Sequence, residues 1–216
     1  MFEQFRHERQ DAWRNDTSVS ESRGLRSRPV PDVPPERPTR QQLVASAGRS
    51  IPDLIAPDLD VLFCGINPGL YSAATGLHFA RPGNRFWAAL HDSGFTRERL
   101  QPWQRTAILS QGIGITNLVA RATAAADELE PDELRRGRRA LEHKVRRLHP
   151  HAVAIVGIGA YRTAFERPRA TIGRQPERIA GALLWVLPNT SGLNANHQAE
   201  DFAEAFRDLR HAVHSA

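Results

Sequence analysis

Apolar residues along this chain fall into short blocks that switch between a strand-like and a helix-like spacing. Asp60-Val61-Leu62-Phe63-Cys64-Gly65 is a continuous apolar run closed by glycine and predicts a buried strand. Asn84 to Ser93 carries Phe86, Trp87 and Leu90 at helical spacing, with Gly94 as the stop. A second helix is predicted over Arg97 to Gln111 and a strand over Ile113 to Val119. Pro131-Asp132-Glu133-Leu134 opens a long helix whose acids sit in the first turn and whose Arg146 and Arg147 sit in the last, as the helix dipole favours. Ala152 to Val156 reads as a strand, Tyr161 to Phe165 as a short helix, and Ala182 to Leu187 as a further strand. Gln198 to Val213 closes the chain as an amphipathic helix with Phe202, Ala205, Phe206 and Leu209 on one face. Strands alternating with helices predict an α/β domain: a mostly parallel sheet covered on both faces.

Residues 1–50 lack this periodicity. They mix charges with Ser and Thr and include Arg28-Pro29-Val30-Pro31-Asp32-Val33-Pro34-Pro35, too little apolar surface to offset ordering entropy. A disordered basic, Pro-rich tail over 1–50 and one domain over 51–216 are therefore expected. The net charge of +5 favours a polyanionic partner, most simply nucleic acid. Arginine supplies nearly all the positive charge, Lys144 being the only lysine. The single cysteine, Cys64, excludes an intrachain disulfide and a four-thiolate iron–sulfur cluster. No apolar run is long enough to span a membrane, and the opening residues lack the apolar stretch of a signal peptide, so a cytoplasmic setting and no membrane partner are expected.

Two apolar strands run into loops rich in Gly, Asn, Pro and Ser: Gly65-Ile66-Asn67-Pro68-Gly69-Leu70 and Leu187-Pro188-Asn189-Thr190-Ser191-Gly192-Leu193-Asn194. Loops at the carboxyl ends of strands form the ligand crevice of an open α/β sheet, so the pair reads as two walls of one site. Pro68 keeps Asn67 extended. The Asn67 amide can orient a water through its carbonyl oxygen but cannot accept a full proton at neutral pH. Taken alone, the pentapeptide is better explained as an ordinary Asn-Pro turn. Leu193, at the tip of a polar loop, either turns inward or inserts into a base stack. Phe79 lies ahead of the following helix, where an aromatic can stack on an extruded base. Asn84 and Arg85, at that helix's start, are candidates for phosphate contact, as is Ser191.

The string from Val61 to Phe95, with its Phe79-Ala80-Arg81-Pro82-Gly83-Asn84-Arg85-Phe86-Trp87 continuation, the segment Gly114 to Val119 and the close at Trp185 to Asn194 resemble the mismatch-specific uracil-DNA glycosylase family. That family includes thymine-DNA glycosylase and lies within the uracil-DNA glycosylase superfamily; the likeness covers roughly Ile51 to Leu209. It implies a three-layer α/β/α sandwich and a monofunctional, monomeric N-glycosidic hydrolase. The implied partner is double-stranded DNA with a mispaired or damaged pyrimidine, and no metal or organic cofactor is needed. Asn67 falls on the family's water-positioning asparagine, Phe79 on its base-stacking phenylalanine, and Leu193 on its intercalating wedge. Gly192 and Asn194 fall where the backbone meets the guanine opposite the lesion. Ile66, Gly69, Tyr71 and Ser72 fall along the base pocket, which Asn189 also borders. Guanine-paired uracil, thymine and damaged pyrimidines are the implied substrates. Asn67 and Asn189 stand where the strictly uracil-specific branch has an acid and a histidine. Thr190 replaces the usual proline of the second motif, Ala195 stands where an arginine is common, and Asn117 lies where a related bacterial pattern has lysine.

Other candidates rank lower. Gly157-Ile158-Gly159 follows a strand, but Arg162 holds the third glycine's place of a dinucleotide fingerprint. His149 and His151 lack a ligand partner at zinc spacing. Asp92 could polarise water only if the fold brought it to Asn67, and the run Arg135 to Arg147 reads mainly as a solvated face, with DNA contact as the lesser alternative. Ser191 lacks the Gly-x-Ser-x-Gly of a serine hydrolase. The rival to a glycosylase is a non-catalytic lesion-binding protein on the same fold, favoured by the departures at Thr190 and Ala195.

Overall fold

Five short strands form one sheet in the order β2-β1-β3-β5-β4. They are β1 (Val61–Gly65), β2 (Ile113–Asn117), β3 (Ala152–Val156), β4 (Gly173–Ile179) and β5 (Ala182–Leu187). The computed structural model describes residues 33–192 and 198–215. β2, β1, β3 and β5 run parallel, and β4 pairs antiparallel with β5 at the edge. The central strands β1 and β3 are buried at every position, which is why they read as unbroken apolar runs.

Among the described residues the α-helices are α1 (Arg40–Val44), α2 (Leu70–Thr75), α3 (Phe86–Asp92), α4 (Arg105–Leu109), α5 (Pro131–Leu148), α6 (Ile158–Ala164) and α7 (Ala199–His214). One face of the sheet packs Phe63, Ile115 and Trp185 against Phe86 and Leu90 of α3 and Phe202, Phe206 and Leu209 of α7. The other packs Leu62, Cys64, Val153 and Val186 against Leu141 and Val145 of α5 and Ala160 and Tyr161 of α6. The result is the expected three-layer α/β/α sandwich with a mostly parallel sheet.

Several local expectations need correction. The helix predicted over Arg97 to Gln111 shrinks to α4, because Pro102 cannot sit inside a helix and the chain turns helical only after it. β2 ends at Asn117, two residues early, where its backbone leaves the ladder to bond the loop after β1. α2 and β4 had no apolar signal strong enough to find. α2 is a six-residue helix between Gly69 and a left-handed Gly76, and β4 is a polar edge strand carrying Pro176.

Part of the segment expected to be a tail is folded instead. Thr39 caps α1 in a box with Gln42, Ser46 is buried, and the Gly48 and Ala122 amides bond Ala122 and Arg49 carbonyls. The rest of the expected tail, residues 1–32, falls outside the described residues, and so does that expectation.

Past α1, Leu54 pairs with Ile115 of β2. The sole lysine secures this edge: Lys144 Nζ of α5 lies 2.6 Å from Asp53 Oδ2 and donates to Thr116 Oγ1 at 2.8 Å, while Thr116 donates to Asp53 Oδ1 at 2.7 Å. Beside it, burial holds the Cys64 thiol protonated, far above its ordinary range.

α5 approaches the loop after β2 so closely that only glycine fits at position 137. A Cβ there would run into the Leu118 carbonyl. Gly→Ala inside an ordinary helix gains up to about 1 kcal/mol. Gly137→Ala is expected to reverse that sign and lower unfolding stability by about 1–3 kcal/mol, the scale of overpacking. Chemical denaturation checks this; a stabilised variant would mean that α5 can retreat freely.

Candidate active site

β1 is followed by β2 on one side, and the chain then crosses to β3 on the other, so the sheet reverses its winding between β1 and β3. Ligand crevices in such sheets open at the carboxyl ends of strands at this switch point. Both loops singled out in the sequence lie on that edge, after β1 and after β5, with β3 between them. Neighbouring strands stand about 4.8 Å apart, which puts the two loops about 10 Å from each other. Gly157, ending β3, bridges them: a Cβ there would meet Ile66 Cδ1 at 3.0 Å and Asn189 Cβ at 4.0 Å.

The loop after β1 is laced to the loop after β2. Leu118 and Val119 amides donate to the Gly65 and Ile66 carbonyls, and Thr123 N donates to Pro68 O. Within this frame the Asn67 side chain is held by its nitrogen end. Nδ2 donates to the Arg121 carbonyl at 3.0 Å and to Thr123 Oγ1 at 2.7 Å. A carbonyl can only accept, and the Thr123 hydroxyl spends its own hydrogen on Ala125 O at 2.6 Å. The amide therefore has one allowed orientation, and Oδ1 takes no hydrogen bond from any described residue.

The Arg121 carbonyl is itself held. Its guanidinium makes a two-pronged pair with Glu133 of α5 (2.6 and 2.8 Å) and donates to Glu128 O at 2.9 Å. Glu133 also accepts from Glu130 N, so one carboxylate caps α5 and fixes the loop that orients Asn67. The Arg121 hydrogen bond holds the Glu133 carboxyl down at about 2.

Phe79 adopts φ +51° and stacks its ring on Phe86 at 4.0 Å between centroids. Gly65 lies under that ring: a Cβ there would meet Phe79 Cζ at 3.3 Å and Asn117 Oδ1 at 2.5 Å. Asn117, the last residue of β2, is the register partner of Gly65. Its Nδ2 points to His78 Nδ1 at 3.5 Å, and His78 Nε2 bonds the Pro52 carbonyl at 3.0 Å. Because that carbonyl can only accept, Nε2 carries the hydrogen and Nδ1 is left as an acceptor. Burial lowers the His78 pKa to about 4, so the ring is neutral at physiological pH. An aromatic face and an oriented amide thus meet over a residue with no side chain.

The loop after β5 docks on the turn before α3. Arg85 N donates to Thr190 O at 3.0 Å and Arg85 Nη2 to Ser191 O at 2.8 Å, while Ser191 N donates to Asn189 Oδ1 at 3.0 Å. Gly192 lies against the Gly83 backbone, where a Cβ would come within 2.8 Å of its carbonyl oxygen. Arg85 also stacks over Phe202 at 4.5 Å. Its phosphate role is therefore corrected: the guanidinium faces inward and secures the second loop. Asn84 Oδ1 accepts from Phe86 N and caps the helix start. Ser191 is occupied through both its amide and its carbonyl.

The other expected pocket residues divide. Ser72 is buried and its hydroxyl accepts from Ala80 N, which positions the loop carrying Phe79 and removes it from the base edge. Gly69 starts α2 and pairs with Thr123, and Tyr71 is half-buried in α2. Ile66 and Asn189 line a neighbouring open groove of about 430 Å³ with Asp127, Gly157, Ile158 and Pro188. Asp92 pairs with His91 at 3.0 Å at the far end of α3, two turns from Phe86. Leu193 and Asn194 lie outside the described residues. Sequence reasoning missed His78, Arg121, Thr123 and Glu133; Asn117 was marked only by the family pattern that has lysine there and by its place as a polar residue ending an apolar strand.

The uracil DNA glycosylase superfamily model matches residues 52–210, most of the chain. The chain belongs to the uracil DNA glycosylase superfamily. Its class is accordingly that of an enzyme acting on DNA, a glycosylase that removes a base by hydrolysis.

Glu133 lies depressed below its ordinary 4.5, so its contribution is full above that value and is lost as pH falls through about 2. Glu133→Gln is expected to melt lower than the parent by a constant margin from pH 8 to 5, and the margin should close as pH drops from 4.5 towards 2. Loosening of Asn67 should also slow base release by about 10- to 100-fold at neutral pH, the scale for a misplaced catalytic group. A melting series and single-turnover kinetics test both; a margin that widens in acid would contradict the assignment.

Proposed function

We propose that this chain is a monofunctional DNA base-excision glycosylase of the mismatch-specific kind, acting on uracil, and on thymine or damaged pyrimidines, paired with guanine in duplex DNA. The observation that carries the reading is the Asn67 amide, pinned through Nδ2 with Oδ1 open at the winding reversal of the sheet. Glycosidic hydrolysis breaks C1′–N1, leaving the electron pair on the base and positive charge on the sugar. A water held by Asn67 Oδ1 then bonds C1′. The amide cannot keep a proton, so the proton passes to solvent after attack. Water positioning suffices because the sugar cation is a strong electrophile.

The remaining roles complete the reading. The flipped base lies on Phe79, whose ring is backed by Phe86. Asn117 presents its carbonyl oxygen to the imide N3–H of uracil or thymine, a hydrogen that cytosine lacks at that position. Leu193 enters the vacated stack and the Gly192 to Asn194 backbone meets the orphaned guanine. Thr190 in place of proline is offset by the tethers from Arg85 to the Thr190 and Ser191 carbonyls, which restrain this loop.

Single-turnover excision on duplexes carrying uracil, thymine or ethenocytosine, each opposite guanine and adenine, tests the reading. Guanine-paired uracil and thymine, which carry the N3–H that Asn117 reads, should be cleaved, and Asn67→Ala should be slower by about two orders of magnitude or more, the loss expected for one preorganised polar group. Lesion-duplex binding should persist in that variant. An inert parent that still binds lesions would favour the non-catalytic rival, and undiminished excision by Asn67→Ala would refute the role of Asn67.

A further inference from the structure

α5 separates its charges in an unusual way. Its acids are all spent: Asp132 on Arg135 at 2.6 Å, Glu133 on Arg121, and Glu142 on Arg146 at 2.6 Å. Four of its cations are likewise engaged, Arg135 and Arg146 in those pairs, Lys144 with Asp53, and Arg138 over the Phe165 ring at 5.3 Å. Arg136, Arg139 and Arg147 remain exposed and form no ion pair among the described residues. At 100° per residue these three, with exposed His143 between them, fall within an arc of about 80°. The buried Leu134, Gly137, Leu141, Val145 and Leu148 face the opposite way, so packing fixes where the stripe points. Asp132 shares its side only at the helix start, where Arg135 neutralises it.

The stripe is about 16 Å long from Arg136 to Arg147, the axial length of roughly five phosphates along one strand. α5 begins beside the loop that orients Asn67 and runs back to the start of β3, at the edge of the sheet opposite the crevice. Its cations therefore lead away from the site and face DNA other than the nucleotide being processed. We infer that the Arg136–Arg139–Arg147 stripe is a second, sequence-independent duplex-binding surface that holds undamaged DNA while the crevice stays free. The inference rests on DNA as the partner and not on which base is removed.

Arg136→Gln/Arg139→Gln/Arg147→Gln in the full chain tests it, against a control of equal net charge, Arg97→Gln/Arg99→Gln/Arg174→Gln. Affinity for a long undamaged duplex is measured across a salt series, and excision from a short lesion duplex under saturating single-turnover conditions. The stripe variant should flatten the slope of log affinity against log salt by about 2–3, near one per lost phosphate contact. The control should keep the parental slope, and short-duplex excision should stay within about twofold of the parent in both variants. An unchanged slope in the stripe variant, or equal flattening in the control, overturns the proposal. So does loss of binding to phosphatidylserine vesicles with the DNA slope intact, which would assign the stripe to a lipid surface. If the parent removes no base at all, the reading of the preceding section fails while the two slopes still decide this one.

Discussion

The site depends on one pair of hydrogen bonds, those by which Asn67 Nδ2 gives both its hydrogens to groups that can only accept. A free asparagine presents either end of its amide. Here the Arg121 carbonyl and the committed Thr123 hydroxyl remove that freedom and leave the oxygen outward. An amide has no basicity to offer, so geometry is all it can contribute, and its surroundings are built to supply geometry. The Glu133–Arg121 pair fixes the carbonyl, α5 fixes Glu133, and the close approach at Gly137 fixes α5 against Leu118. The apolar core thus reaches the Asn67 amide through a short chain of rigid contacts.

The same logic orients the second amide. His78, buried and neutral, gives its hydrogen to Pro52 and turns its bare nitrogen to Asn117. Pro52 is in turn located by Asp53, which Lys144 and Thr116 hold. In a chain whose other cations are arginines, the lone lysine sits where a compact ammonium must reach two oxygens at once.

How much of this was legible in the sequence follows from the range of each interaction. β1, β3, β5, α5 and α7 announce themselves because burial writes their period directly, and Gly, Asn and Pro after two strands mark the crevice. α2 and β4 were hidden because a short amphipathic turn and a polar edge strand leave no sustained period. Asn67 and Phe79 were singled out from local chemistry and resemblance, and the fold sets both beside the carboxyl end of β1. Ser72 and Arg85 were found but assigned outward roles, since a sequence does not say whether a hydroxyl or guanidinium faces a ligand or a neighbouring loop. Thr123, Arg121 and Glu133 act on Asn67 across more than fifty residues, and nothing short of the fold brings them together.

The claim that Asn67 works by oxygen-out orientation is tested most directly by the crystal structure of this chain bound to a guanine-paired duplex carrying non-hydrolysable 2′-fluoro-2′-deoxyuridine. An ordered water is expected about 2.8 Å from Asn67 Oδ1, on the face of C1′ opposite the base, with Nδ2 still on Arg121 and Thr123. A water held there by another side chain, or an amide rotated to point Nδ2 at the sugar, would contradict it.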